Sequence, residues 1–320
     1  MDVTGNLKKM VISILILVLV IVAFAFIFNI ACDGKFLTGS NINQILTNSI
    51  LASFIAWGFC FVFALNYMDF SIGAVIMLCV YASGELGNIL GPVGLVIAGI
   101  VVGVVVMTFN FSLFAFLKIP SWVAGLGLAL IYEAIISVYQ RYKESVGANL
   151  VMLKSEYGIL GRPPLIYVMF IIGIILAYIL YNRSSLGLNA RSVGSNQAVA
   201  KAMGINVTKT LILTGVVCGI FIGCAGFLRE SYSLLVNVPS SLSSLAVIFP
   251  PFAAIFIAQV ISRWINMIIA VPLCAVIIYI CYNVLSLVGI PSGTISEFML
   301  ALFIIVFGII AQRGTKEVVK

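Results

Sequence analysis

Histidine is absent from all 320 residues. That absence alone removes a His-ligated zinc, a haem on a proximal imidazole and a Ser-His-Asp relay. Charge is nearly as scarce: 17 Lys and Arg with 10 Asp and Glu make 8% of the chain, against about 25% in an ordinary globular protein. So few charged side chains cannot cover a water-facing surface, and a soluble globular fold is excluded. The seven cysteines (Cys32, Cys60, Cys79, Cys218, Cys224, Cys274 and Cys281) form no Cys-x-x-Cys pair and lie almost wholly in apolar runs. In that setting a thiol is a small lipid- or core-facing side chain rather than a metal ligand. A Gly-x-x-x-x-Gly-Lys-Ser/Thr phosphate loop is also missing, so the chain carries no ATPase site of that kind. No catalytic residue, metal or cofactor is expected.

What is present is apolar chain, 63% of it hydrophobic, in uncharged runs at 10–32, 36–68, 86–117, 163–182, 210–228, 231–262 and 264–296. Each can cross a bilayer, which takes about 20 residues. The pattern predicts an all-α polytopic membrane protein with about ten spans, near 10–30, 47–66, 70–88, 93–116, 121–139, 164–181, 210–228, 245–261, 265–287 and 295–312. Lys8 and Lys9 ahead of Met10 resemble a signal sequence, and Ala31-Cys32 a lipoprotein cleavage site. The apolar stretch exceeds the about 7–15 residues of a signal core and further spans follow, so it reads as a retained first span. Both termini then lie inside, which puts eleven basic residues on the cytoplasmic side and six outside. That asymmetry is the positive-inside bias, and it directs the net charge of +7 toward the anionic leaflet rather than nucleic acid.

Pro250-Pro251 remove two backbone donors from the middle of the 245–261 stretch, which predicts either a broken or re-entrant pair of half-helices or one span. Pro272 reads as a kink. Asn41-x-x-Gln44 and Thr294-x-x-Glu297 fit capping boxes. Gly99, Gly103, Gly125, Gly127, Gly215, Gly219 and Gly223 read as close-packing positions on spans. No internal repeat appears, so residues 1–320 read as a single membrane domain. It has an external loop at 140–163 and an internal loop at 182–209 whose charges are Arg183, Arg191, Lys201 and Lys209.

Three places can carry function. Within the internal loop Asn196 can cap a short helix over Gln197–Met203 and Gly204 can end it. Val199 and Met203 share a face, with Ala198, Ala200 and Ala202 keeping the rest slim. Such a helix is a connector or a docking peg. Asp69, followed by Ser71, precedes an apolar run and is either a cap or a polar group at the mouth of a pathway. Glu133 is the one acid near the middle of a predicted span. A lipid-facing carboxylate costs at least ~2.5 kcal/mol, so it faces the bundle interior and either lines a path or pairs with a neighbour.

Three blocks resemble the permease family of ATP-binding-cassette importers of the branched-chain amino acid and sugar type. Phe36-Leu-Thr-Gly-Ser-Asn-Ile42 with Asp69-Phe-Ser-Ile-Gly73 is similar to that family's Phe-Leu-x-x-x-Asn and Ile-Asp-Leu-Ser-Val-Gly elements. Ile119-Pro-Ser-Trp-Val-Ala-Gly-Leu-Gly127 resembles its Pro-x-Phe-Ile-x-x-Leu-Gly segment. Val193 to Val207 resembles its Gly-x-Asn-x-x-Ala-Ala-x-x-x-Gly-Ile-Asn loop and is the most specific block. The chain departs from the pattern at Asn66-Tyr67, at Glu133 where an Arg is frequent, and at Ala246 to Phe252 in place of a Gly-rich element.

The resemblance implies a permease in the inner cell membrane for a monosaccharide or similar polar solute. It further implies an ATPase partner, an extracytoplasmic binding protein and a second permease copy or paralogue. It assigns ATPase coupling to Gly194, Asn196, Ala198, Val199, Ala200, Met203, Gly204 and Ile205. Asp69, Ser71 and Glu133 are the pathway candidates. The competing reading is an ion-coupled secondary transporter using Glu133 and Asp69.

Overall fold

The computed structural model describes residues 3–32, 34–117, 119–146, 153–235, 237–289 and 293–316. Their regular structure is helical: α1 (Val3–Ala31), α2 (Gly39–Ala64), α3 (Ile72–Leu117), α4 (Ser121–Ser145), α5 (Leu165–Tyr178), α6 (Ser185–Ser195), α7 (Gln197–Ala202), α8 (Val207–Ser233), α9 (Phe249–Ile261), α10 (Met267–Leu287) and α11 (Thr294–Lys316). A π-helical turn at Ile179–Arg183 prolongs α5, and short 3-10 turns occupy Ser155–Tyr157 and Ser243–Val247. Seven of the described helical segments are long and apolar enough to cross a membrane: residues 11–30, α2, α3, α4, 165–183, α8 and α10. The chain forms two compact units, residues 57–248 and the pair of segments 1–56 and 249–320.

At 46 residues α3 would be about 69 Å long if straight, twice a bilayer. Gly91, at φ 68° and ψ −154° and followed by Pro92, breaks it. A Cβ on Gly99 would lie 2.8 Å from the Ser83 hydroxyl, and one on Gly87 3.1 Å from the Leu95 Cβ. Residues 16 apart along a straight helix are about 24 Å apart, so the two arms fold back as an antiparallel hairpin. The Gly-Pro pair explains the turn, because glycine tolerates positive φ and proline opens the returning helix.

The second arm packs on α8. Contact is backbone to backbone: a Cβ on Gly219 would stand 2.5 Å from the Gly103 carbonyl oxygen, and one on Gly223 2.5 Å from that of Gly99. The small residues at every fourth position bring the two helices together as expected from their spacing. Gly215 packs on Phe111, Gly125 against Asp69, and Gly127 meets nothing within 4 Å. The opposite face of the same arm carries Ile97, Val101, Val105 and Phe109 at helical spacing, all exposed. An apolar face turned outward and a glycine face turned inward define a helix that meets lipid on one side and protein on the other.

Several local expectations are corrected. Pro250-Pro251 do not interrupt the 245–261 stretch in its middle. They stand in the first turn of α9, where helix amides have no partner to lose, and a 3-10 turn over Ser243–Val247 precedes them. Asn41 is not a cap, since α2 begins at Gly39; its amide pairs with Asn283 instead. At the start of α11 the Ser296 hydroxyl accepts the Gly293 N–H and Glu297 is exposed, while the Thr294 side chain of the expected box lies outside the described residues. Pro272 lies inside α10 as anticipated. The segment 182–209 is mostly helix: α6, which sequence spacing did not reveal, is capped by the Ser184 hydroxyl accepting the Gly187 N–H.

Candidate functional site

The larger unit, residues 57–248, has two distinct ends. At one, residues of the 140–163 region meet the tip of the α3 hairpin and the end of α8. Lys143 pairs with Glu85 at 2.7 Å, the Lys154 N–H donates to Asn88, the Leu153 N–H to the Leu234 carbonyl and the Gly161 N–H to the Ser231 hydroxyl. At the other end the Asp69–Gly73 half of the first block converges with the second and third blocks, while its Phe36–Ile42 half belongs to the other unit. The Met68 N–H donates to the Ser121 hydroxyl at 3.0 Å, which joins the first block to the second. A Cβ on Gly125 would fall 2.7 Å from the Asp69 carboxylate and 2.8 Å from the Phe70 nitrogen, so only glycine admits this approach. The third block joins them through Gly194, whose Cβ would lie 2.8 Å from the Leu65 carbonyl carbon, and through Gln197, whose amide donates to the Tyr67 hydroxyl at 3.3 Å. A cavity of about 470 Å³ opens here between Asn66, Tyr67, Phe114 and Trp122.

Within this end α7 is built as its sequence prescribes. The Asn196 side chain accepts the N–H groups of Ala198 and Val199 at 3.0 and 3.1 Å. Gly204, at φ +85°, stops the helix in the left-handed region that other residues avoid. Val199 and Met203 are 53% and 75% exposed, an apolar pair turned away from the unit, with Ala198 exposed beside them. Ala200, in contrast, is 2% exposed and faces the unit's own interior. Ile205 is half-buried and its N–H donates to the Ala200 carbonyl. The segment is moored from behind by α6, whose Arg191 donates to the Tyr181 carbonyl and lies over that ring at 4.9 Å.

Asp69 is fully buried and stands two residues ahead of the Ser71 that precedes α3. Its Oδ1 accepts both the N–H and the O–H of Ser71, at 2.8 and 2.6 Å, in a turn rather than as an N-cap of the helix. Ser71 in turn accepts from the Asn110 amide at 2.7 Å, and the Tyr132 hydroxyl donates to the Asn110 carbonyl. Four buried polar groups from α4, the second arm of α3 and the turn before α3 thus form one chain. Asn110 and Tyr132 were not singled out in the sequence, because an amide within an apolar run and a tyrosine among aromatics give no periodic signal. Asp69 Oδ2, at the end of the chain, has no hydrogen-bond partner.

Glu133 is 3% exposed and so does not face lipid. Its Oε2 accepts the Leu242 N–H at 2.8 Å and its Oε1 the Ser244 N–H at 2.9 Å. Ser241 and Leu242 both have positive φ, 54° and 64°, so the carboxylate clamps a turn that the chain would not hold unaided. Gly73 closes the same junction from the other side: a Cβ there would lie 2.9 Å from the Ser244 carbonyl carbon. The clamped segment walls a cavity of about 350 Å³ with Met77, Arg229, Asn237 and Ser243. Glu230, 1% exposed on α8, is a further buried acid, one that the sequence did not single out.

An all-helical, multi-pass membrane protein in which the Asp69, Ser121 and Gly194 segments gather at one end of a glycine-packed unit is the class these features define. The chain belongs to the family described as "Branched-chain amino acid transport system / permease component", whose pattern matches residues 41–308. It is 29% identical over 206 residues to the autoinducer 2 import system permease protein LsrC of Enterobacter sp. (strain 638), covering 63% of this chain and 59% of that protein. It is 26% identical over 224 residues to the galactose/methyl galactoside import permease protein MglC of Haemophilus influenzae, covering 62% and 66%. With the fructose import permease protein FrcC of Rhizobium meliloti the identity is 26% over 232 residues, covering 67% and 64%. The chain therefore spans about three-fifths to two-thirds of the length of these relatives. No solved structure matches it.

Proposed function

We propose that this chain is the permease subunit of an ATP-binding-cassette importer in the inner cell membrane, moving a monosaccharide or similar small polar solute. In this reading it is one membrane domain of about ten spans with both termini cytoplasmic. A second copy or a paralogue completes the pore, a separate chain hydrolyses ATP, and an extracytoplasmic binding protein delivers the solute. The α3 hairpin supports the count, since one 46-residue helix supplies two crossings. Charge supports the sidedness: Arg183, Arg191, Lys201 and Lys209 lie at the α7 end of the larger unit, with no acid between 182 and 209. The galactose and fructose import permeases among the relatives support the solute class.

The observation that carries the reading is the isolated, doubly capped α7 with its exposed Val199 and Met203. An apolar pair on a rigid two-turn peg at the basic end is a surface for another protein, and the family's permease components need an ATPase there. Glu133 does not serve the rival ion-coupled mechanism well, because both carboxylate oxygens already accept backbone amides. Ala198→Glu, or Val199→Asp with Met203→Asp, should release the ATPase while leaving the permease inserted and monodisperse. Ala200→Glu should instead damage the permease itself, since that side chain is interior. Retention of the ATPase at normal stoichiometry by the exposed-site variants would return α7 to the status of a connector. Reporter fusions placing residue 152 inside, or residue 195 outside, would overturn the topology.

A further inference from the structure

A second polar concavity lies within the other unit, framed by Asn41 of the family-like Phe36–Ile42 segment. Near its start α2 presents Asn41, Gln44 and Asn48, which at i, i+3 and i+7 share one face. Toward its end α10 presents Tyr279, Tyr282, Asn283 and Ser286, again on one face. The two faces meet around a cavity of about 300 Å³, at the lower end of the size that holds a small ligand. Its frame is rigid: Asn41 and Asn283 exchange amide hydrogen bonds in both directions, at 2.8 and 2.6 Å, and Asn41 also donates to the Phe36 carbonyl at 2.8 Å. Behind it Cys32, Phe36, Ile45 and Ile280 form an apolar cluster that fixes both walls.

The chemistry of the lining is selective. Among the described residues no Lys, Arg, Asp or Glu lines it, and the nearest charge is the exposed Glu297 of α11, which acts on Tyr282. The phosphate of a phosphorylated solute or the carboxylate of an amino acid would have to shed water there with no positive partner, which is strongly unfavourable. Amides and hydroxyls both donate and accept, the requirement of a solute whose every hydroxyl does the same. Tyr279 and Tyr282, with ring centroids 6.0 Å apart, offer flat apolar surface to the C–H faces of a pyranose or furanose. A row of amides facing hydrocarbon would be costly, so this face meets water or a solute path.

We infer that the groove between α2 and α10 is a contact site for a neutral sugar on its way through the permease, rather than for the branched-chain amino acids in the family's title. The assignment rests on the importer reading for its place in transport. In the proposed topology, α2 starts and α10 ends on the extracytoplasmic side, where solute arrives.

The test uses full-length protein in nanodiscs carrying Ser286→Cys, an exposed position outside the Asn41–Asn283 frame. The seven native cysteines are buried or half-buried, and the unsubstituted protein supplies their background. Modification of the new thiol by a methanethiosulfonate reagent is timed with galactose, fructose or ribose, and with lysine, leucine or betaine at equal osmolarity. A saturable slowing by at least one of the sugars is expected, about fivefold at about four times its half-saturating concentration, with none from the other three. Adding Gln44→Leu and Tyr282→Leu should abolish the protection.

Equal rates with every solute overturn the inference, as does protection by lysine or leucine. A thiol that resists the reagent with and without sugar places the groove inside a contact between copies and also overturns it. Co-purification of the ATPase with the same Ser286→Cys protein separates the two ideas. Sugar protection without a bound ATPase would sink the importer reading alone, and a bound, coupled ATPase without protection would sink the groove alone.

Discussion

Replacing Glu133 by Leu tests whether the clamp on residues 241–244 is a structural lock. The wild-type carboxylate accepts two backbone N–H groups at 2.8 and 2.9 Å. Leucine can accept neither. Ser244 is buried, so its amide would be left without a partner at a cost of about 1–3 kcal/mol. Leu242 is half-buried and part of its loss can be recovered by water. The sum is about 2–4 kcal/mol of local stability, placed on a turn whose Ser241 and Leu242 already occupy the positive-φ region.

Hydrogen exchange followed by mass spectrometry on the full-length protein reads this directly. Peptides covering 240–247 should exchange about thirtyfold faster or more in Glu133→Leu, since each 1.4 kcal/mol is tenfold in a local opening equilibrium. Glu133→Gln keeps one acceptor oxygen but turns an NH₂ toward the second amide, so its acceleration should be smaller, about tenfold. Solute uptake should fall in the same order, because the segment walls the cavity shared with Arg229 and Asn237. Unchanged exchange across 240–247 in the Leu variant would refute the clamp, whatever uptake does.

Gly73→Ala brings a methyl group against the Ser244 backbone and should loosen the same peptides; combined with Glu133→Leu it should add less than its separate effect, which a double-mutant cycle on exchange rates would show. Gly219→Ala drives a Cβ to within 2.5 Å of the Gly103 carbonyl oxygen and should destabilise the α3–α8 contact by about 1–3 kcal/mol, seen as earlier aggregation on a heating ramp; an unchanged ramp would mean that the helices slide apart freely. Asn196→Ala removes the acceptor of two first-turn amides and should cost α7 about 1 kcal/mol. ATPase affinity should weaken severalfold, with Asn196→Asp retaining most of it.

Much of the fold is written in local chemistry. Runs without charge mark the membrane helices because hydrocarbon penalises an ion wherever it stands, and the penalty depends on composition and length alone. Gly91-Pro92 marks the α3 turn, Asn196 and Gly204 bracket α7, and glycines at every fourth position mark the α3–α8 seam, each a rule about neighbours within a few residues. Errors arose where a signal lacked direction. Two prolines read as an interruption when they are a beginning, because removing an amide is harmless in a first turn and damaging four residues later. Asn41 matches a cap by spacing, yet α2 starts two residues before it. The α6 helix stayed hidden because its eleven residues mix Gly, Ser and Arg without an apolar run.

The site divides along the same line. From the sequence alone come the membrane setting, the capped and exposed peg at 196–204, and the three blocks that point to a permease. The meeting of the Asp69, Ser121 and Gly194 segments is a property of the folded chain: Gly125 reaches Asp69, Gly194 reaches Leu65 and Ser121 reaches Met68 across gaps that no local pattern encodes. Tertiary structure likewise decided that Ala200 faces inward while its neighbour Val199 faces out. It also decided what Glu133 does. A lone acid in an apolar span announces that it must be satisfied, since burying it unpaired is too costly to survive. Which partner satisfies it depends on a turn more than a hundred residues away, and only folding brings those two amides within reach.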